Sequence, residues 1–595
     1  MPKQLVPLKI QPGFADGTDY EVGPRWVRGN LVRWHEQRLK PWKPWRYLIT
    51  ETLSGQCRGM HFWQTNNGER FLVIATPSQI IVIQIRTNKV FDITPNSGLN
   101  TSPTFNLGSG YGAGYYDGSY SYGQSPGSTQ SQFIFSDHAR WSIDNWGDLL
   151  LLCKEGDSQI WSYNALSPYD TGAAQTDTTA SLQSGSTNIF TQDHTKYTVN
   201  AQVSGTGIPA GTTVATIYTT LTGNGYGIVL DQAATQTLTN NTLTISPVAK
   251  MSVITTNADP IRARSIVVTA ERYLLLIGAN GDSRQLLWSG QEDYQDFDVS
   301  SLTSESGSLQ VQTKGFLMCG KKVRAGILIF SSVDVSLLSY VGSPFFYGIE
   351  TLATACGPVS SASIQQVAET TVWLSADGFW RFDGNVSSLP CSILESFLSD
   401  IDIQNSTLVS GGEIREFGEV VWFYKSKENT ENRCDKYILW GTRNNTWSMG
   451  SLARDAYLAE EAFTFPVAVG PDDSGNTRVY AHEVERSDAL DSTVECFAET
   501  GAFQIGAGDR LTRVSRVWHD LERQGTAAGF PQFTFYLSPS ADSAETTKGP
   551  FSPVATGKID VRFQGRQLRV KLSAPISNEW SLGQQRLEIQ PGGTR

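Results

Sequence analysis

The sequence lacks the signatures of several function classes. It has no CxxC pair, no HExxH and no metal-ligand spacing among its six histidines, which read as isolated surface or core residues. The seven cysteines (Cys57, Cys153, Cys319, Cys356, Cys391, Cys434, Cys496) are scattered and odd in number. They argue against a disulfide framework or zinc site and for reduced, buried thiols. Apolar runs such as Leu149 to Cys153 fall far short of a membrane span, and the opening MPKQLVPLKIQPGFADG has no apolar h-region. A soluble chain with no secretory signal peptide and no membrane insertion is therefore expected. Methionine is scarce, at five residues, and segments of helical period are few.

What is abundant is turn and ring. Fifty-five Gly, 16 Trp, 21 Tyr and 27 Phe in 595 residues fit a turn-rich all-β protein, too long for one ordinary core. The stretch TVWLSADGFWRFDG (371–384) sets the pattern. Two short β-branched or aromatic runs flank Asp377-Gly378, a dipeptide that tolerates a tight hairpin turn, and Asp383-Gly384 closes the unit. The same grammar recurs at 71–85, 149–163, 273–288, 326–341, 419–441 and 466–482. The later starts, 273, 326, 371, 419 and 466, are 53, 45, 48 and 47 residues apart, the period of propeller blades. Setting aside the Gly/Ser/Tyr-rich stretch 96–131 and the Thr/Gly/Ala-rich stretch 172–250 regularises the earlier intervals. The expected fold is all-β: a six- or seven-bladed β-propeller with an inserted small β domain and a C-terminal β-sandwich-like domain.

The domain reading follows. Residues 1–46 form a Trp/Arg-rich docking arm; 47–171 hold the first blades, with 96–131 as a low-complexity surface loop; 172–250 are the inserted β domain. Residues 251–500 hold the remaining blades, and 501–595 form a C-terminal β domain for ring and adaptor contacts. In the insertion, 195–205, 212–220 and 226–234 read as strands. Residues 1–46 carry nine Lys/Arg against four Asp/Glu, and 501–595 carry twelve against eight; with −11 overall, those +5 and +4 ends leave −20 for 47–500. So acidic a body argues against tight wrapping of nucleic acid, whose phosphates need Lys and Arg.

Enzyme motifs fail on context. Gly123-Gln-Ser125-Pro-Gly127 matches GxSxG but has no preceding strand or following helix. Gly110-Tyr-Gly112-Ala-Gly114 lacks the GxGxxG spacing, and Gly320-Lys321 lacks a P-loop's upstream glycine. Ser375-Ala-Asp377-Gly-Phe-Trp380 resembles the Asp-box turn of sialidases, but its Gly and Trp come too early. A hairpin turn with a packed aromatic is the better reading. No catalytic, cofactor or metal residue is assigned, and no cofactor is expected. The candidate partner-docking residues are Arg25, Trp26, Arg33, Trp34, Arg38, Trp42 and Trp45 in the arm, and Arg562, Arg566 and Arg569 near the C-terminus. Ring–cation alternation could stack on a nucleic acid strand; cation–π packing of an arm onto its own body or a neighbour is preferred.

Several stretches together resemble tail proteins of short-tailed bacteriophages. They are YEVGPRWVRGNLVRWHEQRLKPWKPW (20–45), WSIDNWGDLLLLCKEGDSQIWSYN (141–164), ARSIVVTAERYLLLIGANGDSRQLLWSGQEDYQDF (263–297), YVGSPFFYGIETLATACGPVS (340–360), WLSADGFWRFDGNVSSLPC (373–391) and WSLGQQRLEIQPGGTR (580–595). The family is the tail nozzle or tail-hub type, similar to packaged-DNA stabilisation proteins, and the match spans the chain except for 96–131 and 172–250. The resemblance implies a structural, non-enzymatic virion protein of the tail, assembled in the host cytoplasm. Its implied partners are itself, as a homohexameric ring, the tail adaptor and portal-proximal proteins, tail fibres or spikes, and, transiently, double-stranded viral DNA. The ring would extend the DNA channel, retain the genome and pass it during ejection. The rival reading is a propeller-type host-binding adhesin or glycosidase of the tail.

Overall fold

A computed structural model describes residues 3–16, 24–99, 104–106, 131–133, 139–155, 159–220, 225–257, 261–301, 304–459, 463–485, 490, 494–505, 510–524, 531–539, 543–554 and 556–592. The GxSxG match, the Gly110–Gly114 cluster and most of the loop 96–131 lie outside the described residues. Its regular secondary structure is almost entirely strand; among the described residues the one α-helix is Leu394–Asp400. It divides into two compact units, Arg58–Gln312 and Met1–Cys57 with Thr313–Arg595.

The unit Arg58–Gln312 contains three four-stranded antiparallel sheets, each a meander. The first runs Gly59–Gln64, Arg70–Ala75, Ile80–Gln84, Lys89–Asp92. The second is Trp141–Trp146, Leu149–Lys154, Ile160–Asn164 and, after a long excursion, Ser252–Val253. The third is Ser265–Val268, Leu274–Ile277, Gln285–Trp288, Gly307–Gln310. Their inner strands read as unbroken apolar runs because both faces are covered. Val73, Val82 and Phe91 of the first sheet pack on Leu150, Leu152 and Trp161 of the second. On the other side Leu151 and Cys153 pack on Ile266, Leu274 and Leu276 of the third.

The inserted domain leaves the second sheet between its third and fourth strands, so it interrupts a meander. Its six strands lie in the order Gln202–Gly205, Leu238–Ser246, Gln175–Leu182, Asn188–Thr191, Tyr226–Leu230, Val214–Ile217. They enclose a separate core of Leu182, Ile189, Tyr197, Val203, Ile228 and Leu243. Buried in it, the Asp177 carboxylate accepts hydrogen bonds from the Thr191 hydroxyl (2.6 Å), the Tyr197 hydroxyl (2.7 Å) and Thr179. Burial pushes its pKa up, but these donors outweigh burial and hold the carboxyl below the ordinary range.

The other unit holds four more meanders: strands within 317–353, 365–389 and 410–451, and a last one of Ala456–Leu458, Val467–Pro471 and Thr477–Ala481. Arg46–Tyr47, from the start of the chain, completes the last as its fourth strand, with Tyr47 opposite Tyr480. Among the described residues the two units therefore hold seven four-stranded meanders, three and four. In the second of these four, Ser375 pairs with Gly378 across a two-residue turn of Ala376 and Asp377, one residue earlier than the expected Asp377-Gly378 turn because Gly378 already belongs to the second strand, and Trp380 Nε1 donates to Asp377 Oδ1 at 3.2 Å. The Asp-box-like hexapeptide is thus a hairpin with a tethered ring.

The docking arm needs correction. Residues 4–41 form five strands: Gln4–Leu8, Gln11–Phe14, Arg25–Asn30, Val32–His35 and Arg38–Pro41. All of them belong to the C-terminal domain. One of its sheets runs Val32–His35, Arg38–Pro41, Glu579–Pro591, Thr512–Gln524, Lys558–Gly565, with Gln4–Leu8 added alongside Glu579–Pro591. The other runs Gln11–Phe14, Arg25–Asn30, Glu495–Thr500, Gln567–Pro575, Gln532–Ser538, Thr546–Phe551, with Phe503–Gln504 beside Gln567–Pro575. Val514, Val517, Phe533, Phe535, Val570 and Leu587 fill the space between them. The expected sandwich is present, but its limits are not 501–595: it takes Glu495–Thr500 and the start of the chain as well.

Candidate docking surface

The arm's rings turn inward, Trp26 and Trp34 from strands and Trp42 and Trp45 from the connection after Arg38–Pro41. Trp26, Trp34, Trp42, Trp45 and Arg33 are all buried in their own unit. Trp34 meets Phe14 edge-on at 5.1 Å, Trp42 lies 4.8 Å from Tyr437, and Trp45 stacks on His482 at 5.3 Å. These five candidates are core residues: their surfaces are spent inside the protein and cannot meet a partner.

Arg33 anchors an ionic cluster. Its guanidinium contacts Glu483, sits 3.5 Å from Glu419 and lies 4.0 Å from the Phe417 ring centroid. Burial lowers and the two carboxylates raise its basicity; the carboxylates win, so Arg33 stays charged. One cation serves two buried carboxylates. Burial consequently pushes the Glu419 carboxyl up to about 7 against the pull of Arg33, and raises Glu483 as well. Next to this, Arg454 Nε donates to His482 Nε2 at 2.9 Å, with its guanidinium 4.1 Å from the Tyr480 ring and 5.1 Å from that of Trp45. Burial draws Arg454 down to about 10 and holds His482 neutral, well below its usual range. The cluster ties the segment after Val32–His35 to the last two meanders. It is a brace.

The remaining candidates lie on the terminal sandwich. Arg25 is half-buried and Arg562 is exposed on Lys558–Gly565. Arg566 is half-buried, and its backbone joins Ser538 to Ile505. Arg569 contacts the buried Glu499, pairs with Glu545 at 2.5 Å and covers the Tyr536 ring at 4.1 Å. Arg28 reaches the same Glu499 at 2.9 Å, and Lys571 reaches Glu495 at 3.5 Å. Arg38 donates through Nε to the Ser581 hydroxyl (2.6 Å) and pairs with Asp520 at 3.1 Å. The basic excess of the chain ends is therefore largely matched, residue by residue, by carboxylates brought from other strands. These acidic partners were invisible in the sequence because each lies hundreds of residues from the arm's cation, with no local spacing to mark it.

Near Arg38 the sandwich opens into a cleft of about 360 Å³, walled by Leu8, Ile10, Trp26, Trp34, Leu39 and Leu582, with Lys9, Gln37 and Gln584 at its rim. A bulge makes room for it. The register passes from His519 opposite Gln585 to Leu521 opposite Leu582, so two residues, Gly583 and Gln584, face Asp520 alone. That shift lets Leu582 and Gln585, three apart, both turn inward.

None of the seven cysteines forms a disulfide; six are buried and Cys391 is partly so. Among the described residues no group of three or more His, Cys, Asp or Glu is placed to hold a metal ion, and no helix is long and apolar enough to cross a membrane.

No family model matches the chain, and no curated protein does. Among solved structures, similarity is found to an ancestral GH74 enzyme, at 8% identity and TM-score 0.25, covering 79% of this chain and 76% of that one. It is found also to the extracellular domain of a hybrid two-component system from B. thetaiotaomicron, at 8% identity and TM-score 0.16, covering 92% and 98%. A glycoside hydrolase matches at 8% identity and TM-score 0.15, covering 75% of this chain and 97% of that one. Likeness this distant carries no inference about activity.

Proposed function

We propose that this chain is a structural subunit of a bacteriophage tail, a nozzle protein that forms a ring below the portal and adaptor, retains packaged DNA and passes it during ejection. The supporting observation is how the terminal domain is closed. In both of its sheets the early strands sit at one edge and pair onto late strands, Gln4–Leu8 and Arg38–Pro41 on Glu579–Pro591 and Arg25–Asn30 on Glu495–Thr500, with a buried ionic brace at Arg33. A part that must hold a pressurised genome gains from such pairing of its two chain ends, because pulling on either end loads whole strand ladders at once. The sequence resemblance points the same way. The reading assigns the chain no catalytic step and no cofactor.

An acidic body, −20 over residues 47–500, suits a channel wall that repels phosphates and lets DNA slide. A lumen that proves basic in an assembled ring would reject that part of the proposal. The test of the whole is copy number: quantitative mass spectrometry of purified virions should find one of these chains per two portal subunits, as a six-fold ring under a twelve-fold portal requires. A copy number that no ring explains, together with release of sugars from a host glycan by the purified chain, would favour the tail glycosidase instead, and absence from virions would reject both.

A further inference from the structure

The sheet within 317–353 ends in an unusual hairpin. Its strands Val335–Gly342 and Phe346–Ala353 remain paired out to Gly342 opposite Phe346. The neighbouring strand, Gly326–Ser331, stops earlier: its last pairing there is Ile327 with Leu338. The hairpin therefore overhangs its own sheet by three to four residues, about 10 Å at strand rise. The overhang carries no charged residue between Leu338 and Ile349.

Its tip is apolar and in solvent. Phe345 is 75% exposed, Val341 60% and Tyr340 43%, and the Tyr340 and Tyr347 rings meet edge-on behind them at 5.6 Å. Such clustering of exposed apolar side chains marks an interaction site. At roughly 200 Å² per aromatic, the three expose on the order of 300 Å². That is well below the ~800 Å² per partner that a stable protein interface needs.

The charges beside the tip indicate what it meets. Val323 pairs with Gly326, so the turn between them lies at the same end of the sheet as the tip. Exposed Lys322 and Arg324 stand there with half-buried Lys321, and Glu350 lies across the sheet on its opposite edge strand. A basic collar behind an uncharged aromatic tip is at odds with an acidic body. It matches the layering of a lipid surface with anionic headgroups: cations at the phosphates, tyrosine at the interface, Phe and Val a few ångströms deeper.

We propose that the 340–346 tip is a membrane-contact element that enters the interfacial layer of an anionic bilayer. The expectation of no membrane insertion rested on the lack of a spanning run, and a hairpin tip needs none. The proposal stands independently of the ring.

Vesicle flotation of the full chain tests it. Binding is expected to phosphatidylethanolamine–phosphatidylglycerol vesicles and to be at least tenfold weaker on phosphatidylcholine alone. The double variant V341S/F345S, altered only at exposed positions, should lose at least tenfold in partitioning while keeping the wild-type melting temperature. K322E/R324E should lose the preference for anionic lipid and the salt dependence. No flotation of the wild type, or undiminished flotation of V341S/F345S, overturns the proposal. A fall in oligomer mass for V341S/F345S without any vesicle binding also overturns it, and would assign the tip to a second copy of the chain.

Discussion

Single residues show which contacts can yield. At Gly583 an added Cβ would collide with the Asp520 carboxylate and approach Arg38 Nη1 at 2.9 Å; Asp520 is half-exposed and can swing away. Gly557 instead has φ +73°, and its Cβ would strike the backbone carbonyl of His519, which cannot move without breaking the strand. Gly583→Ala should therefore cost under about 1 kcal/mol, since an exposed ion pair is worth little, and Gly557→Ala about 2 kcal/mol or more. Urea midpoints of the two variants check the order. Asp177→Ala strands the buried hydroxyls of Tyr197 and Thr191 and should destabilise the inserted domain by about 2–3 kcal/mol, read as early loss of protection in hydrogen exchange over 175–246. His519, stacked 3.7 Å from Phe533, is drawn by burial down to about 3. Its folded value lies below its unfolded one, so its contribution is complete above about pH 6.5 and is lost as pH falls towards 3. Between pH 7 and 5, wild type should lose about 2 kcal/mol more than His519→Phe.

At the scale of elements, the sequence made the inner hairpin of every meander legible and left most outer strands hidden. Inner strands such as Glu419–Tyr424 are covered on both faces and keep every position buried, so they stand out as apolar runs. Outer strands such as Phe346–Ala353 or Gly307–Gln310 are largely solvated and blend with loops. In the insertion, Gln175–Leu182 and Leu238–Ser246 escaped notice because Thr and Asn fill their exposed positions. The arm misled more deeply. Its strands are masked by prolines, and their partners lie at the far end of the chain. The two-residue strand Arg46–Tyr47 is the weakest of these elements by sequence. Tyr47→Pro removes its amide and should lower the melting temperature of the last meander, exposing 456–481 to limited proteolysis before the other meanders.

For the whole molecule, opposed titrations shape stability. Glu419, raised to about 7 by burial, binds its proton more tightly folded than unfolded. Its contribution is therefore complete below its ordinary 4.5 and is lost as pH rises through 7. The histidines act in the reverse sense over an overlapping window. Glu419→Gln should keep Arg33 paired through Glu483 while steepening the rise of stability with pH between 4.5 and 7; denaturation at several pH values would detect this, and an unchanged slope would count against the buried carboxylate. None of this coupling was legible in the sequence, since Arg33, Glu419 and Glu483 become neighbours only through tertiary packing.

Tyr47 closes its sheet only against Tyr480, roughly 430 residues later. At translation speeds of 5–20 residues per second, the segment holding Trp26, Trp34, Trp42 and Trp45 leaves the ribosome roughly 20–90 s before its partners exist. Over that interval four tryptophans bound for a core stand open to chaperones. A chain cut short before Ala481 never hides them. Completion of synthesis is thus what conceals them, and unfinished chains betray themselves by their unspent start.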